Sequence, residues 1–257
     1  MHKPVNQANI DRWSGYADVY NAARPVPPNI IKQSIMLYAP TPSLVVDIGC
    51  GTGLSTQIWQ GTAERVIGIE PNDDMRRAAQ PGEGIDYRAG YSNATGLPDQ
   101  CADIVTISQA LHWMDIDSAL DEVHRLLKPG GVLAVYDCDW PPAVDWQVEQ
   151  AFSALHQQCL RLDKPRGVVQ HDKSSYIARF RAFGKFGFVR EIVCHSVEPC
   201  TPQRMIDLAL SQGAIQDARK QDASLQAAID AFGEVVRTRC PAKFEIVFSY
   251  RLRLAMK

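Results

Sequence analysis

The sequence has no run of about 18 apolar residues of the kind a bilayer span needs, and its opening stretch, MHKPVNQANIDRW, has no continuous apolar core. Neither a membrane span nor a secretory leader is expected, and the chain is expected in the cytoplasm. An excess of positive charge is also missing: 27 Lys and Arg against 29 Asp and Glu give a formal net charge of -2. Proteins that neutralise many phosphates carry a basic stripe, so neither nucleic acid nor a membrane is an expected partner. The seven cysteines (Cys50, Cys101, Cys138, Cys159, Cys194, Cys200 and Cys240) show no CxxC spacing. That argues against a zinc ribbon and against a disulfide framework. Cys194-His195 and the pair His156 and Cys159 have no further ligands at regular spacing, so no metal is expected. Internal repeats and low-complexity runs are absent.

What is present is 257 residues with 46% hydrophobic content, enough for one large α/β domain. Short β-branched runs bounded by turn residues predict strands at 44–48, 65–70, 85–89, 102–108 and 132–136, alternating with helices, which is the pattern of a mostly parallel sheet. Within 117–128, Leu120, Val123, His124 and Leu127 recur at helical spacing, and Lys128-Pro129-Gly130-Gly131 marks the stop. Ahead of the first strand, two helices are expected over 10–20 and 28–38, with Trp13, Tyr16 and Tyr20 on one side of the first. They form either a lid over a site or a packing element at the sheet edge. Helices over 144–162, 176–183, 202–215 and 223–237 and strands over 188–197 and 244–254 complete the pattern. The resulting plan is a single domain: a helical lid (1–42), a ligand-binding core (43–140), a helical insertion (141–187) and terminal strands and helices (188–257).

The strongest chemical signal is the run from Val45 to Gly53, VVDIGCGTG, where a buried strand enters a glycine-rich turn and a helix is expected to follow. Glycine permits positive φ and close backbone approach, and amides at a helix start favour a negative group. A dinucleotide fingerprint would place a third glycine where Leu54 stands, so an oxidoreductase is disfavoured. The second strand ends in Glu70, about 20 residues further on, the separation at which a carboxylate can accept from both hydroxyls of an adenosine ribose. Pro71 and Met75 offer an apolar surface for the adenine.

VVDIGCGTG, GIEPNDDM, LPDQCADIVTISQALHWMD and RLLKPGGVLAVYD, in this order, resemble the motifs of class I S-adenosylmethionine-dependent methyltransferases. The stretch Gln109-Ala110-Leu111-His112-Trp113, with Tyr16, Tyr20 and Arg24-Pro25 upstream, is similar to the trans-aconitate-methyltransferase-like small-molecule branch. The resemblance implies a Rossmann-like α/β fold with strand order 3-2-1-4-5-7-6 and the last strand antiparallel. It implies S-adenosylmethionine as cofactor, with Asp47, Gly49, Cys50 and Gly51 around its methionine portion and Glu70 at its ribose. Tyr91 and Ser92 fall where the family flanks adenine, although the acidic residue often found there is missing, and Gln109 falls near the sulfonium.

Methyl transfer from a sulfonium is an in-line displacement in which alignment matters most. A carboxylate acceptor needs no base, whereas an alcohol, phenol or carbon acid does. His112 is the candidate base, or else a loop residue that positions Trp113; Trp113 itself is a site wall or a core residue. Arg24 is the first candidate to grip an acidic acceptor, with Arg166, Arg179 and His171 behind it. Tyr16, Tyr20, Trp113 and Trp140 are the expected substrate-side residues. The expected function is methyl transfer to a small molecule, with a carboxylate as the candidate acceptor; a non-catalytic cofactor-binding sensor or partner subunit and a protein methyltransferase are the alternatives. A monomer is the default.

Overall fold

The computed structural model describes residues 5–162 and 167–257. Seven strands, β1 (Leu44–Ile48), β2 (Arg65–Ile69), β3 (Ile85–Arg88), β4 (Ala102–Ser108), β5 (Leu127–Cys138), β6 (Phe188–Cys200) and β7 (Phe244–Met256), form one sheet. Its order is β3-β2-β1-β4-β5-β7-β6. The strands β1 to β5 pair in parallel, whereas β7 runs antiparallel between β5 and β6. The inner strands are buried on both faces, as their near-continuous Val and Ile content demands of a parallel sheet covered by helices.

The covering helices are α1 (Gln7–Asp11), α2 (Ala17–Ala23), α3 (Asn29–Met36), α4 (Asp73–Arg77), α5 (Ile116–Leu126), α6 (Trp146–Leu162), α7 (Tyr176–Phe183), α8 (Pro202–Leu210), α9 (Gly213–Gln221) and α10 (Leu225–Arg239). On one face, Val45, Val66, Ile104, Ala134 and Tyr136 pack with α3, α6, α8, α9 and α10. On the other, Val46, Ile67, Val105 and Val135 pack with α5 and α7. Asp115 caps α5 by accepting from the Ser118 amide at 3.0 Å. The buried stripe of α5 includes Glu122 rather than His124, because Glu122 accepts from the amide and hydroxyl of Thr95 at 2.8 and 2.6 Å. Among the described residues no helix is long and apolar enough to cross a membrane.

Three expected elements differ. The single helix over 10–20 is broken: α1 ends at Asp11, residues 12–15 are turns, and Gly15, with φ of +81°, leads the chain into α2. The helix over 202–215 is split, because Gln212 is extended between α8 and α9. No α-helix follows the glycine loop: residues 49–56 are turns, and only a short 3-10 segment, Gln57–Trp59, precedes β2.

Candidate active site

At the carboxyl end of β1, Gly49, Gly51 and Gly53 take φ of +70°, +56° and +85°. Such angles strain any residue with a Cβ, and a Cβ at Gly49 would stand 2.7 Å from the Met114 methyl. The turn is held from behind by Asp47, which is fully buried and accepts from Ser55 Oγ, Thr56 Oγ1 and Thr106 Oγ1 at 2.6, 2.7 and 2.8 Å. Asp47 is therefore a correction to the expected cofactor contact: its carboxylate is spent inside the protein, tying the loop to β4, and it does not line the cleft. The sequence pattern reads this acid as facing the ligand because it precedes the glycines; the three hydroxyls that claim it carry no such mark.

One strand over, Glu70 is 8% exposed and its two oxygens accept from the amides of Asn72 and Gly51 at 2.8 and 2.9 Å. An ionised carboxylate has about four acceptor sites. Each oxygen of Glu70 thus keeps a lone pair for a further donor. Burial pushes its carboxyl above the ordinary range, opposed by the two amides.

Around these groups opens a cleft of about 390 Å³. Gly49, Cys50, Gly51, Glu70, Pro71, Tyr91, Ser92 and Gln109 all line it, as does Met75. Leu54, Ser55 and Asn93 line the same half and were not singled out by sequence. Gln109 sits at the end of β4 with φ +52°. Its Oε1 accepts from Lys173 Nζ at 3.1 Å, and its Nε2 faces Cys138 Sγ at 2.7 Å.

The N-terminal segment closes over the cleft. Asn9, 5% exposed, donates from Nδ2 to the carbonyls of Trp113 and Val169 at 2.6 and 2.8 Å and accepts from the Val169 amide at 2.9 Å. Asn72 Nδ2 donates to the Ile10 carbonyl and Ser14 Oγ, both at 3.0 Å. Arg12 pairs with Asp217 at 2.6 Å and lies 4.4 Å from the Trp113 ring. Trp13 and Tyr20 meet edge to face at 6.0 Å and both line the cleft. Tyr16 does not: the break at Gly15 turns it away, and it is 8% exposed beneath Lys220, whose Nζ is 4.3 Å from its ring.

Arg24 lines the other end. Its guanidinium lies between the Tyr20 and Trp140 rings, 4.9 and 4.8 Å from their centroids, while Nε and Nη2 donate to Oγ and the carbonyl of Ser211, each at 2.9 Å. No acidic side chain pairs with it among the described residues. Trp140, like Tyr16, departs from the expected substrate-side role: it does not line the cleft but stacks on Phe152 at 6.2 Å, backing the arginine. Trp113 and His171 line the cleft. Arg179 instead pairs with Asp117 at 3.3 Å, and Arg166 lies outside the described residues.

Of the two roles expected for His112, base or positioning residue for Trp113, its surroundings favour the second. His112 is 5% exposed and absent from the cleft wall, with Nδ1 3.8 Å from Asp137 Oδ1 and its ring 4.7 Å from that of Trp113. Burial, then the charges of Lys173, Arg12, Arg24 and His171, push its pKa well down. Its carbonyl accepts from the His171 amide at 2.8 Å, which couples the Trp113 turn to the insertion. Two further cleft residues escaped the sequence reading: Cys138 ends β5, and Tyr250 sits opposite it on β7.

Residues 46–135 match the family model described as a methyltransferase domain. The chain is similar to a malonyl-[acyl-carrier protein] O-methyltransferase of Yersinia pestis, 37% identical over 35% of this chain and 34% of that one. It is also similar to a sterol 24-C-methyltransferase of Eremothecium gossypii, 33% identical over 37% of this chain and 28% of that one. The first curated relatives are matched over 34% to 47% of their own length. Among solved structures, a type II methyltransferase candidate from Anaeromyxobacter dehalogenans superposes with TM-score 0.68 at 23% identity, covering 91% of this chain and 97% of that one. The chain has the fold of S-adenosylmethionine-dependent methyltransferases, residues 46–135 are similar to a methyltransferase domain, and S-adenosylmethionine is the cofactor that goes with that domain. The residues present fit that group: a backbone turn free of Cβ atoms, a buried carboxylate with two spare acceptor sites for a diol, and apolar Pro71 and Met75 beside it.

Proposed function

We propose that the protein transfers a methyl group from S-adenosylmethionine to a small acceptor that carries a carboxylate. The observation that carries this reading is Arg24: a guanidinium stacked between two aromatic rings, fixed by Ser211, lining the cleft and lacking an acidic partner among the described residues. Such a planar cation is suited to a carboxylate, and an unpaired charge is kept at a partly buried site at a cost that a ligand offsets. The matched core supports methyl transfer in general but not the acceptor, since it aligns with both an O- and a C-methylating relative.

When bound, the cofactor supplies an electrophilic methyl on sulfur. This chain's own work is alignment and exclusion of water. Glu70 and the glycine turn hold the nucleoside end, Arg24 orients the acid, and Trp13, Tyr20 and Asn9 cover the cleft. An ionised carboxylate is already a nucleophile, which agrees with a His112 that is neutral and walled off. The cleft of about 390 Å³ is lined both by the cofactor-side residues and by Arg24, so the cofactor takes a share of that volume and what is left favours a compact acceptor.

The test is an assay of S-adenosylhomocysteine formation over short mono- and dicarboxylates, benzoates, phenols and amines, on the wild type and on Arg24→Leu. Loss of a charged hydrogen-bonding partner should raise KM for the acid by about 10- to 100-fold while S-adenosylhomocysteine affinity stays within about twofold. Turnover confined to uncharged acceptors, with KM indifferent to Arg24→Leu, would reject the acid. Cofactor binding without turnover of any compound would point to a sensor or partner subunit.

A further inference from the structure

The cleft wall includes a buried, unpartnered polar group that the proposal above leaves unused. Tyr250 is 2% exposed, lines the cleft, and its Oη has no partner among the described residues. Tyr16, Trp59 and Tyr176 also bury polar heads without a partner, but none of them lines the cleft. The same face of β7 otherwise presents Ile246, Phe248, Leu252 and Leu254 to the core. A phenylalanine at position 250 would fill the same space without burying a hydroxyl that gives up its water. The hydroxyl is thus a cost to the empty protein that packing does not explain.

Its place in the sheet says what it meets. Tyr250 is registered opposite Cys138, the last residue of β5, and β5 lies beside β4, which runs into Gln109. Gln109, Cys138 and Tyr250 therefore line the cleft from three neighbouring strands, at the end away from β2 and Glu70. Tyr20 joins the two ends, within electrostatic reach of Arg24 and Cys138 on one side and Glu70 on the other. Burial keeps the Tyr250 phenol protonated, as a hydrogen-bond donor.

We infer that Tyr250 is a specificity-determining residue that donates its hydroxyl hydrogen to an oxygen of the acceptor, the class of acceptor being a compact oxyacid held at the same time by Arg24. This rests on the acid reading of Arg24. It deepens that reading by requiring a second oxygen contact, from β7, which discriminates against acids whose remainder is pure hydrocarbon.

The experiment is Tyr250→Phe beside Arg24→Leu and the double variant, each measured for S-adenosylhomocysteine affinity, melting temperature, and kcat and KM on the best acid of the panel. Tyr250→Phe should raise KM about tenfold, with cofactor affinity within about twofold, kcat within about threefold, and melting temperature equal to the wild type or higher. In the double variant the two effects on KM should not multiply, because both residues hold one molecule. A packing residue would leave KM within about twofold. If Arg24→Leu raises KM and Tyr250→Phe does not, the Tyr250 assignment falls and the acid reading stands. If neither moves KM, or if the wild type turns over no acid, both fall.

Discussion

Glu70→Ala is expected to weaken S-adenosylhomocysteine binding by about 100-fold or more in calorimetric titration. Two ribose hydroxyls would lose a charged acceptor, at about 1.5 kcal/mol or more each. The variant also leaves the amides of Gly51 and Asn72 without the oxygens they bond at 2.9 and 2.8 Å, so the turn that receives the cofactor loses its tie to β2. Glu70→Gln, which keeps one acceptor oxygen, should lose less. The group also sets a pH dependence. Burial raises the Glu70 pKa, so on acidification the carboxyl takes up its proton at a higher pH than an ordinary glutamate, and cofactor affinity falls through that region. The sign for stability is opposite: a carboxyl whose folded pKa is raised stabilises the empty protein as pH falls through that pKa and loses this as pH rises. Cofactor affinity and the Glu70 contribution to the stability of the empty protein should therefore move in opposite directions on acidification. Affinity that is unchanged in Glu70→Ala would remove Glu70 from the site.

Asp47→Ala should be costly to the fold itself. Three buried hydroxyls, on Ser55, Thr56 and Thr106, give their hydrogens to this one carboxylate. Removing it leaves the fully buried hydroxyls of Thr56 and Thr106, and that of Ser55 at the cleft wall, without their acceptor, at about 1 kcal/mol or more apiece. Burial penalises the carboxylate, and the hydrogen bonds from these hydroxyls oppose that penalty; the alanine variant forfeits the bonds and leaves a gap. A loss near 3 kcal/mol corresponds to a melting temperature lower by roughly 6 to 12 °C for a chain of this size. Because the same network fixes the glycine turn, cofactor binding should weaken along with stability, and Asp47→Asn, which retains one acceptor, should lie between. A melting temperature within about 2 °C of the wild type would show that the hydroxyls find other partners and that Asp47 does not brace the loop.

Much of the scaffold was legible because parallel strands announce themselves. LVVDI and ADIVTIS are buried on both faces, so their apolar content is nearly continuous, and β1 and β4 fall at the expected bounds. Helix bounds near the lid were less readable. Gly15 is one glycine among polar and aromatic residues, yet its positive φ decides that Trp13 and Tyr20 face the cleft while Tyr16 turns toward α9. The glycine loop was read correctly as a place of positive φ, but the helix expected after it is not formed. Asp47 and His112 show the limit of motif reading: both stand at positions where an acid or an imidazole suggests chemistry, and both are buried beyond the cleft wall, Asp47 among three hydroxyls that donate to it and His112 against the Trp113 ring. Tyr250 shows the converse. It lies in a strand whose alternation predicts packing, and only the pairing of β7 with β5 brings it to the cleft.

The most direct test of the cofactor site is calorimetric titration of the wild-type protein and Glu70→Ala with S-adenosylhomocysteine. The site built by Gly49, Gly51 and Glu70 predicts binding at one molecule per chain, reduced about 100-fold or more in the variant. No heat of binding to a folded wild-type protein would contradict it.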